Sequence, residues 1–223
     1  MTCRNPSRWW LVPAALGAAA ATVLPVLAAV PPARPRLPDG VDTLDDAIAS
    51  CRASGLEGWE LVEHARILVH RKYSQYTIVT LWENAPSSFR NSRGYSSQYN
   101  GALALLLEAL GFEVERVFAT RVRSGATPEP WWRTAHSWVR VTHGGRTRDV
   151  CAFDRSAPAG EVSFVPLTEV RSFGKRTRRN TRIGMTPFIY ARAWRSLLTG
   201  QPLPRWLVRP FGELVEEPAE SGS

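Results

Sequence analysis

Six consecutive apolar residues, Ala102-Leu103-Ala104-Leu105-Leu106-Leu107, constrain this chain more than any other feature. They lie in a proline-free stretch from Ser96 to Leu110 that closes on Gly111, a natural helix stop. A helix that is apolar on all sides offers no face to water, so it must sit centrally with other elements packed around it. Segments able to surround it are present. Asp42 can cap a short helix through Leu44, Ile48 and Cys51 that ends at Gly55. A second helix from Gly58 to Tyr73 carries Trp59, Leu61, Val62, Ala65, Leu68 and Val69 at helical spacing. Asn84 to Ser88 reads as a turn. Phe112 to Val122 alternates like a strand, and Ser124 to Pro130 reads as a loop. His136–Val141 and Thr147–Phe153 read as a hairpin about Gly144-Gly145. This order predicts an α+β fold, with the buried helix packed on an antiparallel sheet, rather than a parallel α/β sheet.

The flanks differ from this centre. Arg4 and Arg8 precede an uncharged run from Trp9 to Val30, interrupted by Pro13 and Pro25. Its basic start, apolar body and small residue at Ala28 fit a signal peptide, and its length also fits a membrane anchor. Either implies a secreted or envelope-anchored protein. Residues 31–41 form a stiff proline-rich linker. Residues 42–170 make the central domain, and 171–223 a basic segment, a helix and an acidic tail. Arg171 to Arg182 holds six basic residues and no acid, after which Thr186-Pro187 opens a helix that ends near Gly200. The net charge of +8 favours anionic partners such as a lipid or cell-wall surface. Neither zinc-finger spacing nor a Cys/His cluster is present, so no metal and no cofactor are expected. Cys51 and Cys151 can form a disulfide only if the fold brings them together.

Arg93-Gly94-Tyr95-Ser96-Ser97-Gln98-Tyr99, the leucine-rich helix behind it and His136-Ser137-Trp138-Val139-Arg140-Val141 form one constellation. Together they resemble the transglutaminase-like superfamily, which has a papain-type fold, over about Trp59 to Ser156. The family's signature is Arg-Gly-x-Cys ahead of a helix ending in Leu-Gly, followed by a His-Ala-Trp-Val strand. Arylamine N-acetyltransferases share the fold and a related Arg-Gly-Gly-x-Cys element. The tryptophan after His136 favours the transglutaminase-like side.

The resemblance implies a nucleophile at the start of the buried helix, a histidine on a neighbouring strand and an acid that orients it. Ser96 occupies the nucleophile position, where the family keeps cysteine, and His136 that of the base. A serine hydroxyl cannot form a thiolate-like ion pair and needs concerted help from a base. The family's acid position falls on Cys151, flanked by Asp149 and Asp154. If the hairpin loop has three residues, His143 to Gly145, then His136 faces Ala152. Asp154 then lies on the diagonal of the same face and Asp149 on the other face, so Asp154 is preferred. His64, His70 and His143 carry no partner motif and read as surface, packing or turn residues.

Three functions are compatible with these residues. The first is a catalytically degenerate domain that binds a peptide, glycan or protein partner in the old cleft. The second is an active acyltransferase or hydrolase using Ser96, His136 and Asp154. The third is a basic module that binds an envelope surface. The net charge would also suit nucleic acid, which is not the expected partner.

Overall fold

A computed structural model of the chain describes residues 11–33, 40–124, 135–155 and 157–213. Arg34 to Asp39 of the expected linker, most of the 124–130 loop and the tail beyond Glu213 lie outside the described residues. The architecture is α+β. Helix α5 (Ser96–Ala109) lies at its centre, as the apolar run requires, and all but three of its residues are buried. It packs on β3 (Glu113–Ala119) and β5 (His136–His143), the inner strands of an antiparallel sheet. That sheet runs β6 (Arg146–Val150), β5, β3, β8 (Arg171–Ser172). Helices α2 (Leu44–Ala53), α3 (Gly58–Lys72) and α4 (Ala85–Arg90) cover other sides of α5.

Two more sheets complete the chain. In one, β1 (Gln75–Thr77) pairs parallel to β2 (Arg93–Gly94) and antiparallel to β9 (Val208–Pro210). In the other, β4 (Val122–Ser124) pairs with β7 (Phe164–Pro166). The main core gathers Leu103, Leu106, Trp138 and Val139 around α5. A second cluster joins Val79, Leu81, Tyr95 and Leu207 to Val26 of α1 (Leu11–Ala28) and Ile189 of α6 (Lys175–Leu198).

Several local expectations shift. The cap of α2 is Thr43, not Asp42: its hydroxyl accepts from Asp46 N–H, and the Asp46 carboxylate accepts from Thr43 N–H. The 84–88 turn is the start of α4, capped by the Asn84 side chain, with Pro86 in its first turn. The C-terminal helix starts at Lys175, so most of the basic run is helical, and Pro187 lies inside it rather than at its start. Thr186 donates its hydroxyl to the Arg182 carbonyl and does not act as an N-cap. The apolar N-terminal run forms α1, which packs on α6 with Trp194 Nε1 donating to the Thr22 carbonyl at 2.9 Å. Among the described residues no helix is long and apolar enough to cross a membrane.

Candidate functional site

The chain before Ser96 is held rigidly. Gln98 donates through Nε2 to the carbonyls of Thr80 (2.8 Å) and Glu83 (3.0 Å), and its Oε1 accepts from Tyr95 N–H. A Cβ on Gly94 would come within 2.5 Å of Ser88 Oγ, so only glycine fits this approach. Tyr95 is extended and Ser96 begins α5, where unpaired backbone N–H groups concentrate positive potential. Ser96 is 8% exposed and therefore buried by its surroundings, yet it borders a cavity of about 160 Å3.

His136, the first residue of β5, borders the same cavity. Among the described residues no hydrogen bond joins it to Ser96. Its Nε2 instead lies 3.3 Å from Cys151 Sγ. The hairpin explains this. Its turn is the two residues Gly144-Gly145, both at positive φ, and His143 pairs with Arg146. Continued beyond the Val139–Val150 pair, that register sets Phe153, not Ala152, opposite His136. Residue 151 then takes the diagonal on the His136 face, and residue 154 turns to the other face. The preference for Asp154 rested on a three-residue loop, and the register does not support it. The Asp154 carbonyl accepts from buried Arg66. Asp149 pairs with Arg140 across the hairpin at 3.0 Å.

Asn100, four residues after Ser96 on α5, ties the parts together. Its Nδ2 donates to the Ser137 carbonyl (2.7 Å) and reaches Cys151 Sγ (3.4 Å), while its Oδ1 accepts from Ala152 N–H (3.0 Å). The helix is thereby stapled to both strands of the hairpin. Cys51 and Cys151 are free and buried, so the disulfide left open by the sequence does not form. His70 packs against Phe211 with Nδ1 on the Ala152 carbonyl, and His143 packs against Trp59 and Phe112.

The electrostatics follow from the walls. His136 lies edge-on to Phe164 (4.7 Å) and stacks over Trp138, and this burial, with the Arg209 guanidinium as a lesser cause, pulls its pKa down to about 4. Burial pushes the Cys151 thiol up to about 11, despite the Asn100 hydrogen bond. At neutral pH imidazole and thiol are both uncharged.

The remaining walls come from parts of the chain far from the motifs. Phe173, Thr181 and Met185 of α6, Trp206 and Arg209 line the cavity together with Tyr76 and Phe118. Arg209 lies 3.7 Å from the Tyr76 ring centroid and donates Nε to the Glu213 carbonyl. The Ser97 and Ser137 hydroxyls, both of residues lining the cavity, are buried with no partner among the described residues. Asn100, Cys151 and Arg209 were not chosen from sequence. Asn100 could have been found, being one helical turn beyond Ser96 and polar within an apolar helix. Arg209 carries no local signal. No cluster of three or more metal-ligating side chains occurs among the described residues. Compared with known proteins, the chain matches no family model, and no curated protein matches its sequence.

Proposed function

We propose that this chain is a transglutaminase-like domain of papain type that has lost acyl transfer and keeps the cleft as a binding site for a peptide, glycan or protein partner. One observation carries the reading. Ser96, at the start of a buried helix, and His136, on the adjacent strand, face one cavity, with Cys151 where an orienting carboxylate would stand.

The chemistry supports loss of activity. A serine nucleophile must give up its proton to the imidazole as it attacks. An imidazole with a pKa near 4 is a weak base, and among the described residues the polar contact of its Nε2 is a neutral thiol. Loss of correct support behind a catalytic histidine costs about 10⁴ in rate in a serine triad. The cavity retains features suited to binding. Its aromatic walls and the Arg209 cation can hold a group with an apolar body and a polar end. About 160 Å3 suits one side chain or sugar substituent, since small-molecule pockets run to roughly 300–1,000 Å3.

The test is direct labelling of the purified protein with a fluorophosphonate and with an activated ester, followed by peptide mapping. No adduct at Ser96 is expected, and short peptides and glycans screened against the His136 ring resonances should include binders. A stoichiometric Ser96 adduct that disappears in Ser96→Ala would overturn the reading and make the chain a serine acyltransferase or hydrolase. A cleft that binds nothing in the screen would remove the binding half of the proposal.

A further inference from the structure

Helix α6 is built unlike the other helices of the chain. Lys175, Arg176, Arg178, Arg179, Arg182, Arg192 and Arg195 lie on it, and no acid does. Cations in the first turn oppose the helix dipole, so this charge is not placed to stabilise the helix. The buried residues Ile189, Ala193 and Ser196 face the second core cluster. On the opposite, solvent side, Ile183, Phe188 and Leu198 are 51%, 72% and 80% exposed. At about 100° per residue these three fall within an arc of roughly 140°, interleaved with Arg176 and Arg195. Leu24 of α1 and Trp82 add further exposed apolar surface; Trp82 is joined to α6 through its bond to Thr186. A trough of about 710 Å3, walled by Val23, Leu27, Val79, Pro187 and Tyr190, opens beside Trp82. Glu83 also borders it, paired with Arg93.

We infer that α6, flanked by α1 and Trp82, docks in the plane of an anionic lipid bilayer. The inference does not depend on the reading of the Ser96 cleft. The occupant must be negatively charged and apolar over the same area, because cations and large apolar side chains alternate on one face. A bilayer meets both needs, with phosphates at the level of the arginines and acyl chains beneath for Phe188, Ile183 and Leu198. A soluble polyanion would satisfy the arginines alone. The contact lies in the interface, and no helix needs to cross.

The test uses the full chain and vesicles of phosphatidylcholine, with and without phosphatidylglycerol, in sedimentation at low and high salt. Binding is expected only to the anionic vesicles and should fall as salt rises. Arg176→Glu with Arg179→Glu should weaken it at least about 30-fold, each basic residue near an anionic surface contributing roughly fivefold. Ile183→Ser with Phe188→Ser should weaken it by at least tenfold with the charge unchanged. All four positions are exposed, and circular dichroism checks that the variants fold. Three results overturn the inference: no binding at low salt, equal binding to neutral vesicles, or binding that survives both double variants. The last would assign the contact to α1 alone. In the same way, an Ile183/Phe188 variant that binds as well as the parent would leave only an electrostatic contact and overturn docking in the plane of the bilayer.

Discussion

Acidification from pH 7 to pH 4 should remove about 2 kcal/mol of folding stability through His136. In the unfolded chain this imidazole titrates near its ordinary 6.5, and in the folded chain near 4, because the aromatic walls displace much of the water that would solvate its cation. The sign follows from proton linkage. As pH falls below 6.5 the unfolded chain takes up a proton that the folded chain refuses, so the unfolded state gains. The contribution is fully present above about 6.5, shrinks through the window, and is gone below about 4. The separation is worth about 3 kcal/mol at 1.36 kcal/mol per decade. His136 as a residue keeps some contact with solvent, so part of this cost is screened and the expected figure is about 2 kcal/mol. Urea unfolding at a series of pH values, on the parent and on His136→Gln, isolates the effect. The variant loses packing and will be less stable throughout, so the comparison is of slopes. His70, also depressed by burial, titrates in both proteins and cancels. Parallel stability curves for parent and variant across this window would show that the folded site accepts the proton freely, and the argument for a neutral, inactive imidazole would go with them.

Three further outcomes follow from the same geometry. Cys151→Asp places a carboxylate behind the ring, so the His136 pKa should rise past 6.5; a ring resonance still titrating near 4 would show that 151 does not face the histidine. In Ser96→Cys the new thiol gains the helix N-terminus but no imidazolium, so alkylation should report a pKa close to the ordinary thiol value; adding Cys151→Asp should lower it by at least about one unit, and equal profiles for the two variants would refute the coupling. Asn100→Ala removes donors and an acceptor shared by Ser137, Cys151 and Ala152, leaving Ala152 N–H buried and unpaired. A loss of about 2–4 kcal/mol by urea unfolding is expected, and one below 1 kcal/mol would mean that the helix–hairpin staple carries little.

The legible parts of this fold are those with strong local causes. Ser96–Ala109 reads as a helix because its apolar run leaves no alternative, and Gly111 at φ 91° ends it as expected. The hairpin reads from Gly144-Gly145, and Ser96 and His136 do border one cavity. Pro187 misled because proline favours a first helical turn, yet here it is tolerated twelve residues into a helix anchored by Ile189 and Ala193. The walls made by Trp206 and Arg209 were not legible, since Ser96 and His136 on the same cavity lie 70 or more positions before them and no spacing rule relates them.

The third member of the site turned on a single residue of loop length. Sequence marks Gly144-Gly145 as a turn but leaves His143 open, as the last residue of a strand or the first of a loop. The choice is made by tertiary packing: His143 is pressed against Trp59 of α3 and Phe112, which holds it in the ladder opposite Arg146. Two glycines at positive φ then suffice for a two-residue turn. Carried past the last pair, Val139–Val150, strand alternation would put 154 on the His136 face in the other register and puts 151 there in this one. A carboxylate at the first position would have given a charged, orienting partner. The thiol at the second gives a neutral contact at 3.3 Å, backed by an amide that holds it in place. On the proposed reading, the partner of His136 is therefore set at the far end of the hairpin, by the packing of a histidine that does not border the cavity.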